Sequence, residues 1–340
     1  MKKETKLYLI VGVVCLILIV LIVIALQNSS KTGSAWYSAQ IPSEQNAEPE
    51  VYFCPQDSCG DIVTELILSA EKTVHCALYS ISIPLVKDAL ISQSEKGLDV
   101  KLVTDYDNYK KVQELGFVKS NNGKQLMHDK FCIIDGNTVF TGSFNPTVTG
   151  DSKDNNNVVI FYSQYLSQNY EDEFDELWNG IYGTGEKVKN PIVMLNGYKI
   201  ENYFCPEDNC QQHTLEELKK AKQSIKFMTY SFTDDKIGGL LITEYEKGIA
   251  VIGVFEKSQN SQWSEYSKLK DAGLNVMIDG NKGLMHHKVF IIDNSTVITG
   301  SYNPTQNGNE NNDENIVIIH DEGIAEMFLE EFRKVYGETY

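Results

Sequence analysis

Two stretches of the chain carry the same chemically useful residues in the same order. His128 to Thr147 reads HDKFCIIDGNTVFTGSFNPT and His286 to Thr305 reads HHKVFIIDNSTVITGSYNPT, with thirteen of twenty positions identical at a constant offset of 158. Each begins with a histidine and a lysine two apart, His128 and Lys130 or His286 and Lys288, ahead of an apolar run. On a strand, positions i and i+2 point the same way, so both side chains can reach one pocket. The following Gly-Ser-aromatic-Asn-Pro reads as a turn that returns Ser143 and Asn145, or Ser301 and Asn303, to the same end of the sheet. Two histidines, two lysines and two asparagines converging on a dyad suit a phosphate diester. The lysines and asparagines hold the non-bridging oxygens, and Ser143 and Ser301 are further substrate-binding candidates. One imidazole attacks while the other protonates the leaving alkoxide. This chemistry calls for no metal and no cofactor.

The elements that must position these residues repeat as well. Val51 to Cys59 (VYFCPQDSC) matches Asn202 to Cys210 (NYFCPEDNC) at an offset of 151, so the second half carries seven extra residues ahead of its motif. Each half reads strand, helix, strand (Thr73 to Tyr79; Ser224 to Tyr230), helix, strand (Val100 to Thr104; Ala250 to Phe255), helix, and then the motif strands. A short apolar strand (Val158 to Phe161; Ile316 to Ile319) and an amphipathic helix close each half. In the first of these helices Leu166, Tyr170, Phe174 and Leu177 fall at helical spacing. This pattern predicts an α/β fold of two pseudo-symmetric α/β/α sandwich halves with mixed sheets, residues 51–180 and 200–340, joined by a linker over 181–199.

The pair His128-x-Lys130-x4-Asp135 and His286-x-Lys288-x4-Asp293, each followed by Gly-Ser-x-Asn, resembles the phospholipase D superfamily, in particular its endonuclease and cardiolipin-hydrolase branch. The resemblance covers nearly all of residues 50–337. It implies a phosphodiesterase that works through a covalent phosphohistidine. In that family, residues just after the turn hydrogen-bond the histidine of the opposite half. Here those positions are Asn156 and, at the 158 offset, Glu314. A carboxylate on an imidazole N–H raises its nucleophilicity, whereas an amide only orients the ring. The resemblance thus makes His128, paired with Glu314, the nucleophile, and His286, paired with Asn156, the general acid and later base; on the residues alone either histidine can serve. Asp135 and Asp293 stand at the far end of the strand, where structural hydrogen bonds are expected of them. Phe144 and Tyr302 are expected in the core, and His75, His213, His287 and His320 outside the site.

The N-terminal end is different in kind. Leu7 to Leu26 is twenty residues without a charge behind three lysines and one glutamate, long enough as a helix to span a bilayer. Residues 1–26 are read as a membrane anchor with the N-terminus inside and the catalytic part extracytoplasmic. A cleavable signal peptide is the alternative. Residues 27–50, rich in Ser, Gln, Asn and Glu, read as a flexible stalk. Of seven cysteines, Cys15 lies in the anchor and Cys76 and Cys132 read as plain core residues. The repeated pairs Cys54/Cys59 and Cys205/Cys210 are disulfide candidates, with a zinc shared by all four as the rival.

The chain carries a formal net charge of −17 and has one arginine, Arg333. An acidic chain without arginine forks is poorly built to track long nucleic acid, although it does not exclude a nuclease with a small basic pocket. Three functions follow: a phospholipase D acting on phospholipid, a nuclease of the same superfamily, or a tethered phosphate-binding protein without turnover. Both half-sites lie in one chain, so a monomer suffices.

Overall fold

In the computed structural model, which describes residues 41–339, the two halves repeat one order of elements. The chain starts with β1 (Ser43–Glu44) and β2 (Glu50–Cys54), then α1 (Cys59–Leu68), β3 (Thr73–Leu78), α2 (Pro84–Glu95) and β4 (Asp99–Thr104). A short α3 (Tyr106–Tyr109) and β5 (Val118–Ser120) precede the motif strands β6 (Lys130–Ile134) and β7 (Thr138–Gly142). The first half closes with α4 (Val148–Ser152), β8 (Asn156–Tyr162) and α5 (Gln164–Trp178). After β9 (Ile192–Leu195) the pattern returns as β10 (Tyr198–Cys205), α6 (Cys210–Leu218), β11 (Ser224–Thr229), α7 (Asp235–Glu246) and β12 (Ala250–Phe255). It ends with α8 (Glu265–Asp271), β13 (Asn275–Ile278), β14 (Lys288–Ile292), β15 (Thr296–Gly300), α9 (Gln306–Glu310), β16 (Glu314–His320) and α10 (Glu322–Gly337).

The strands form two mixed sheets, β2-β8-β7-β6-β3-β4-β5 and β1-β9-β10-β16-β15-β14-β11-β12-β13. The motif strands are central in both, and central strands buried on both faces read as apolar runs rather than as alternation. That is why Phe131 to Ile134 and Val289 to Ile292 are all buried. A single core joins the inner faces of the two sheets and is filled by Tyr170 and Phe174 of α5 and Phe328 and Phe332 of α10. Each outer face has a core of its own, under α1 and α2 in the first half and under α6, α7 and α8 in the second. The apolar stripe seen at 166, 170, 174 and 177 is therefore the seam between the halves.

Four expectations need correction or completion. The membrane anchor of residues 1–26 lies outside the described residues, as does the stalk up to residue 40; among the described residues no helix is long and apolar enough to cross a membrane. The last part of the expected stalk is not loose chain: Ser43 and Glu44 pair in parallel with Met194 and Leu195, and Glu44 accepts hydrogen bonds from Ser163 Oγ and the Gln164 N–H. Likewise the end of the expected linker is β9, paired antiparallel with β10. Both segments are too short to show a strand period. The edge strands β5 and β13, each three or four residues, were hidden for the same reason.

The cysteines supply the fourth. Cys54 is bonded to Cys59 and Cys205 to Cys210. Cys76 and Cys132, expected as free core thiols, are bonded to each other. They lie directly opposite one another on the neighbouring antiparallel strands β3 and β6, with Cα atoms 4.0 Å apart. This bond closes a loop of 56 residues, against 5 for each of the others. In the chain-entropy model the longer loop is worth about 4 kcal/mol and a short one about 2. Replacing Cys76 and Cys132 together by alanine is expected to lower the thermal midpoint more than replacing Cys54 and Cys59. Melting curves of the two double variants under non-reducing conditions decide this, and an equal or smaller loss for the Cys76/Cys132 variant counts against the pairing.

Candidate active site

Each motif histidine sits two residues before its strand, which begins at Lys130 or Lys288, and is held by the opposite half. The His128 N–H donates to the Asp313 carbonyl at 2.9 Å, and the His286 N–H donates to the Asn155 carbonyl at 2.9 Å. The side chains cross over in the same way. His128 Nδ1 is 2.8 Å from Glu314 Oε2, and His286 Nδ1 is 2.8 Å from Asn156 Oδ1 and 3.2 Å from the Ser143 carbonyl. Asn156 is oriented by its own amide N–H, which donates to the Gly150 carbonyl at 3.2 Å. An amide oxygen and a carbonyl can only accept, so His286 carries its proton on Nδ1 when neutral and Nε2 faces outward. Both rings line a cavity of about 520 Å³, together with Asn145 and Asn303. The Oδ1 atoms of these two asparagines are buried without a partner, and the Nδ2 of each is the group able to donate to a phosphate oxygen.

The lysines lie beneath this cavity. Lys130 Nζ donates to the His128 carbonyl and Lys288 Nζ to the His286 carbonyl, the latter at 2.7 Å. Each ammonium also faces a tyrosine ring, Lys130 at 5.2 Å from Tyr79 and Lys288 at 4.9 Å from Tyr230. The same two rings meet the histidines edge-on, at 5.0 Å for Tyr79 and His128 and 4.6 Å for Tyr230 and His286. These tyrosines were not singled out in the sequence. Their signal was present, since Tyr79-Ser80 and Tyr230-Ser231 repeat at the 151 offset at the ends of β3 and β11.

The serines take a different part from the one expected. Ser143 Oγ accepts from the Asn157 N–H at 3.0 Å and donates to Asn156 Oδ1 at 3.1 Å; Ser301 Oγ accepts from the Asn315 N–H at 2.9 Å. Neither lines the cavity. They turn inward because Gly142 and Gly300, with φ of 141° and 144°, let the chain pass close against β8 and β16. A Cβ on Gly142 would stand 2.4 Å from the Asn157 carbonyl oxygen. The serines thus fix the strands that carry Asn156 and Glu314. Asp135 and Asp293 stand at the far end, where Asp135 accepts from the N–H groups of Glu71, Lys72 and Thr73, and Asp293 from those of Lys222, Gln223 and Ser224. Phe144 and Tyr302 are core residues. His287 is fully buried between Asn157 and Glu331, away from the cavity.

Burial shapes the electrostatics. Desolvation, reinforced by the two lysines, holds both motif imidazoles well below their ordinary pKa, so they are neutral at pH 7. Burial lowers Lys130 to about 8 against the pull of Glu314, and burial together with the neighbouring Lys130 ammonium holds Lys288 well below the ordinary lysine range. Burial raises Glu314 to about 8. The cavity therefore offers weakly held cations, and a phosphate anion arriving there would hold them protonated.

Comparison with known proteins identifies the family. The family model described as "Cardiolipin synthase, PLD-like domain" matches residues 63–178 and 214–336, one copy in each half. The chain belongs to the phospholipase D superfamily. A phospholipase D of Rickettsia typhi is 34% identical over 140 residues, 41% of this chain and 69% of that protein. The human mitochondrial cardiolipin hydrolase is 32% identical over 125 residues, 36% of this chain and 50% of the hydrolase. Among solved structures, phosphatidylserine synthase of Haemophilus influenzae superimposes with a TM-score of 0.65 over 85% of this chain and 87% of that one, at 11% identity, which is a likeness of fold. As a member of the superfamily, the chain is a phosphodiesterase-type hydrolase by relationship.

If His128 is the nucleophile, the competent state would need Glu314 ionised, to accept a hydrogen bond from His128 Nδ1, and Lys130 protonated, to attract the anion. Ionisation of Glu314 is gained and protonation of Lys130 lost as pH rises through about 8. We expect kcat/KM to be bell-shaped with its maximum near pH 8, the two limbs belonging to the pair as a whole. Glu314→Gln should lower kcat about 10²- to 10⁴-fold, the usual range for a lost proton-transfer group, and should remove the acidic limb. A variant that keeps the wild-type acidic limb would show that Glu314 does not govern it.

Proposed function

We propose that the protein hydrolyses phospholipid phosphodiester bonds in two steps through a phosphohistidine on His128. The carrying observation is the unequal pairing of two otherwise equivalent histidines, a carboxylate on His128 and an amide on His286. In the first step His128 Nε2 attacks phosphorus while Glu314 accepts hydrogen-bond density from Nδ1 and stabilises the positive charge that develops on the ring. The P–O bond to the leaving alcohol breaks, and His286 Nε2, protonated in the substrate complex, gives its proton to the departing oxygen. In the second step His286 takes a proton from water, water attacks phosphorus, and His128 leaves. Lys130, Lys288, Asn145 and Asn303 surround the position of the non-bridging oxygens. Each role is filled by a side chain already present, so the reading is metal-independent.

Three further parts of the reading rest on less. The N-terminal apolar run supports a membrane-anchored protein with its catalytic part outside the cytoplasm. The three disulfides support an oxidising compartment. Two half-sites in one chain support a functional monomer.

The test uses the full-length protein in detergent micelles with EDTA present. Phosphatidate release from phospholipid, lost in His128→Ala, is the expected result; cleavage of DNA alone would move the protein to the nuclease reading. A second arm uses bis(p-nitrophenyl) phosphate, whose leaving group needs no acid. With it, His286→Ala should release one equivalent of nitrophenolate in a burst and accumulate a p-nitrophenyl phosphoryl group on His128, detectable by mass spectrometry of acid-labile peptides. The converse result, a burst from His128→Ala with the adduct on His286 and none from His286→Ala, would reverse the assignment of the two histidines.

A further inference from the structure

The two mouths of the catalytic cavity are built from equivalent residues and are not alike. On one side Asn281 Nδ2 donates to the Lys153 carbonyl at 3.0 Å and to Asn155 Oδ1 at 2.6 Å, and the Leu284 N–H donates to Asp154 Oδ1 at 2.9 Å. Gly283 completes the closure, since a Cβ there would stand 2.2 Å from the Lys153 carbonyl oxygen. That side is sealed. At the 158 offset, Asn281 and Gly283 correspond to Gly123 and Gln125, while Lys153 and Asp154 correspond to Asn311 and Asn312. The sealing amide is thus replaced by a residue without a side chain, and the close-packing glycine by a long amide. Of the equivalent contacts only the bond from the Leu126 N–H to Asn312 Oδ1 remains, at 3.3 Å. The result is an open lobe of about 490 Å³ that shares Leu126, Asn307 and Asn312 with the catalytic cavity.

The lining of this lobe is selective. Asn311 Nδ2 donates to Asn307 Oδ1 at 3.1 Å, which leaves the Asn307 Nδ2 to donate and the Asn311 Oδ1 to accept, while Gln125 offers both; together they match the dual character of a hydroxyl group. Asp105, although in the wall, has its carboxylate occupied by the N–H groups of Asp107 and Met127 and by Asn121. Asp107 and Lys124 offset one another in charge. Leu126 and the exposed ring of Tyr106 are the apolar contributions, far short of what an acyl chain needs. A second phosphate would find one lysine and two carboxylates.

We propose that the open lobe is an alcohol subsite that takes an uncharged, hydroxyl-rich arm of the diester, a glycerol or sugar, through Gln125, Asn307 and Asn311. The inference rests on the phosphodiesterase reading above and names the head alcohol which that reading leaves open. A site built to hydrogen-bond a hydroxyl discriminates strongly against the analogue that lacks it, because its own polar groups then lose their partners.

The experiment compares phosphatidylglycerol with phosphatidylpropanol, which has the same charge and carbon count but lacks the two head hydroxyls, in mixed micelles with the full-length protein. Phosphatidylcholine and bis(p-nitrophenyl) phosphate complete the set. The expected result is a kcat/KM at least tenfold higher for phosphatidylglycerol than for phosphatidylpropanol or phosphatidylcholine. Gln125→Leu and Asn307→Leu, on the lobe surface, should each shrink that ratio severalfold. Equal or better turnover of the propanol or choline lipid, or an unchanged ratio in both variants, overturns the subsite while leaving the phosphodiesterase reading intact. Failure to turn over any of the four compounds overturns both.

Discussion

The structure depends on one crossed arrangement. Each motif histidine takes its backbone acceptor and its side-chain acceptor from the other half, His128 from Asp313 and Glu314, His286 from Asn155 and Asn156. Neither half contains a complete site, so the relative placement of the two sheets is itself part of the active site. The shared core beneath α5 and α10 fixes that placement with large, fully buried rings such as Tyr170, Phe174 and Phe328. Close-packed interiors do not deform smoothly, and a misplacement of about 1 Å at reacting groups can cost on the order of a hundredfold in rate. The seam of the fold and the geometry of the chemistry are one constraint.

That constraint forces an expensive interior. Two lysines, two histidines and Glu314 are withdrawn from water within one cavity floor, and isolated buried charge is strongly unfavourable. The structure softens the cost locally. Carbonyl oxygens and tyrosine faces receive the ammonium groups, and burial lowers Lys130 and raises Glu314, so that less charge has to be held away from water. What remains unsatisfied includes Asn145 Oδ1 and Asn303 Oδ1, in side chains of the cavity wall. Sites of this kind break the rules that the rest of a sequence obeys, and the three apolar cores and three disulfides supply the stability that the site does not.

Much of this was legible in the sequence because duplication acts as an internal alignment. The 158 offset exposed the motif residues, and it paired Glu314 with Asn156 before any contact was known. The strand–helix alternation and the apolar stripe of α5 followed from period alone. What stayed hidden has a common cause. Cys76 and Cys132 meet because β3 and β6 are neighbours in register, and strand order is not written in hydrophobic pattern. The inward turn of Ser143 and Ser301 depends on a glycine at positive φ that lets two strands nearly touch, which residue type suggests but does not aim. The strands β1, β5, β9 and β13 are of two to four residues at or near sheet edges, too short for any period to show.

The departures from symmetry carry more meaning than the symmetry. Two equal halves give two of every group, whereas a displacement on phosphorus calls for one attacking base and one proton donor. The chain differs between its halves where that distinction is made: a carboxyl at Glu314 against an amide at Asn156. The same logic reaches outward. Asp129, whose Oδ1 accepts from Asn315, stands where the second half has His287, bound to Asn157 and Glu331, so the layer behind the site holds a carboxyl on one side and a histidine–glutamate contact on the other. At the mouth, Asn281 and Gly283 seal one edge while Gly123 and Gln125 leave the other open. A diester also has two unlike arms. A twofold scaffold therefore has to be broken at the nucleophile, at its supporting layer and at the cavity edge, and these are the places where the two copies of this sequence diverge in charge or in bulk.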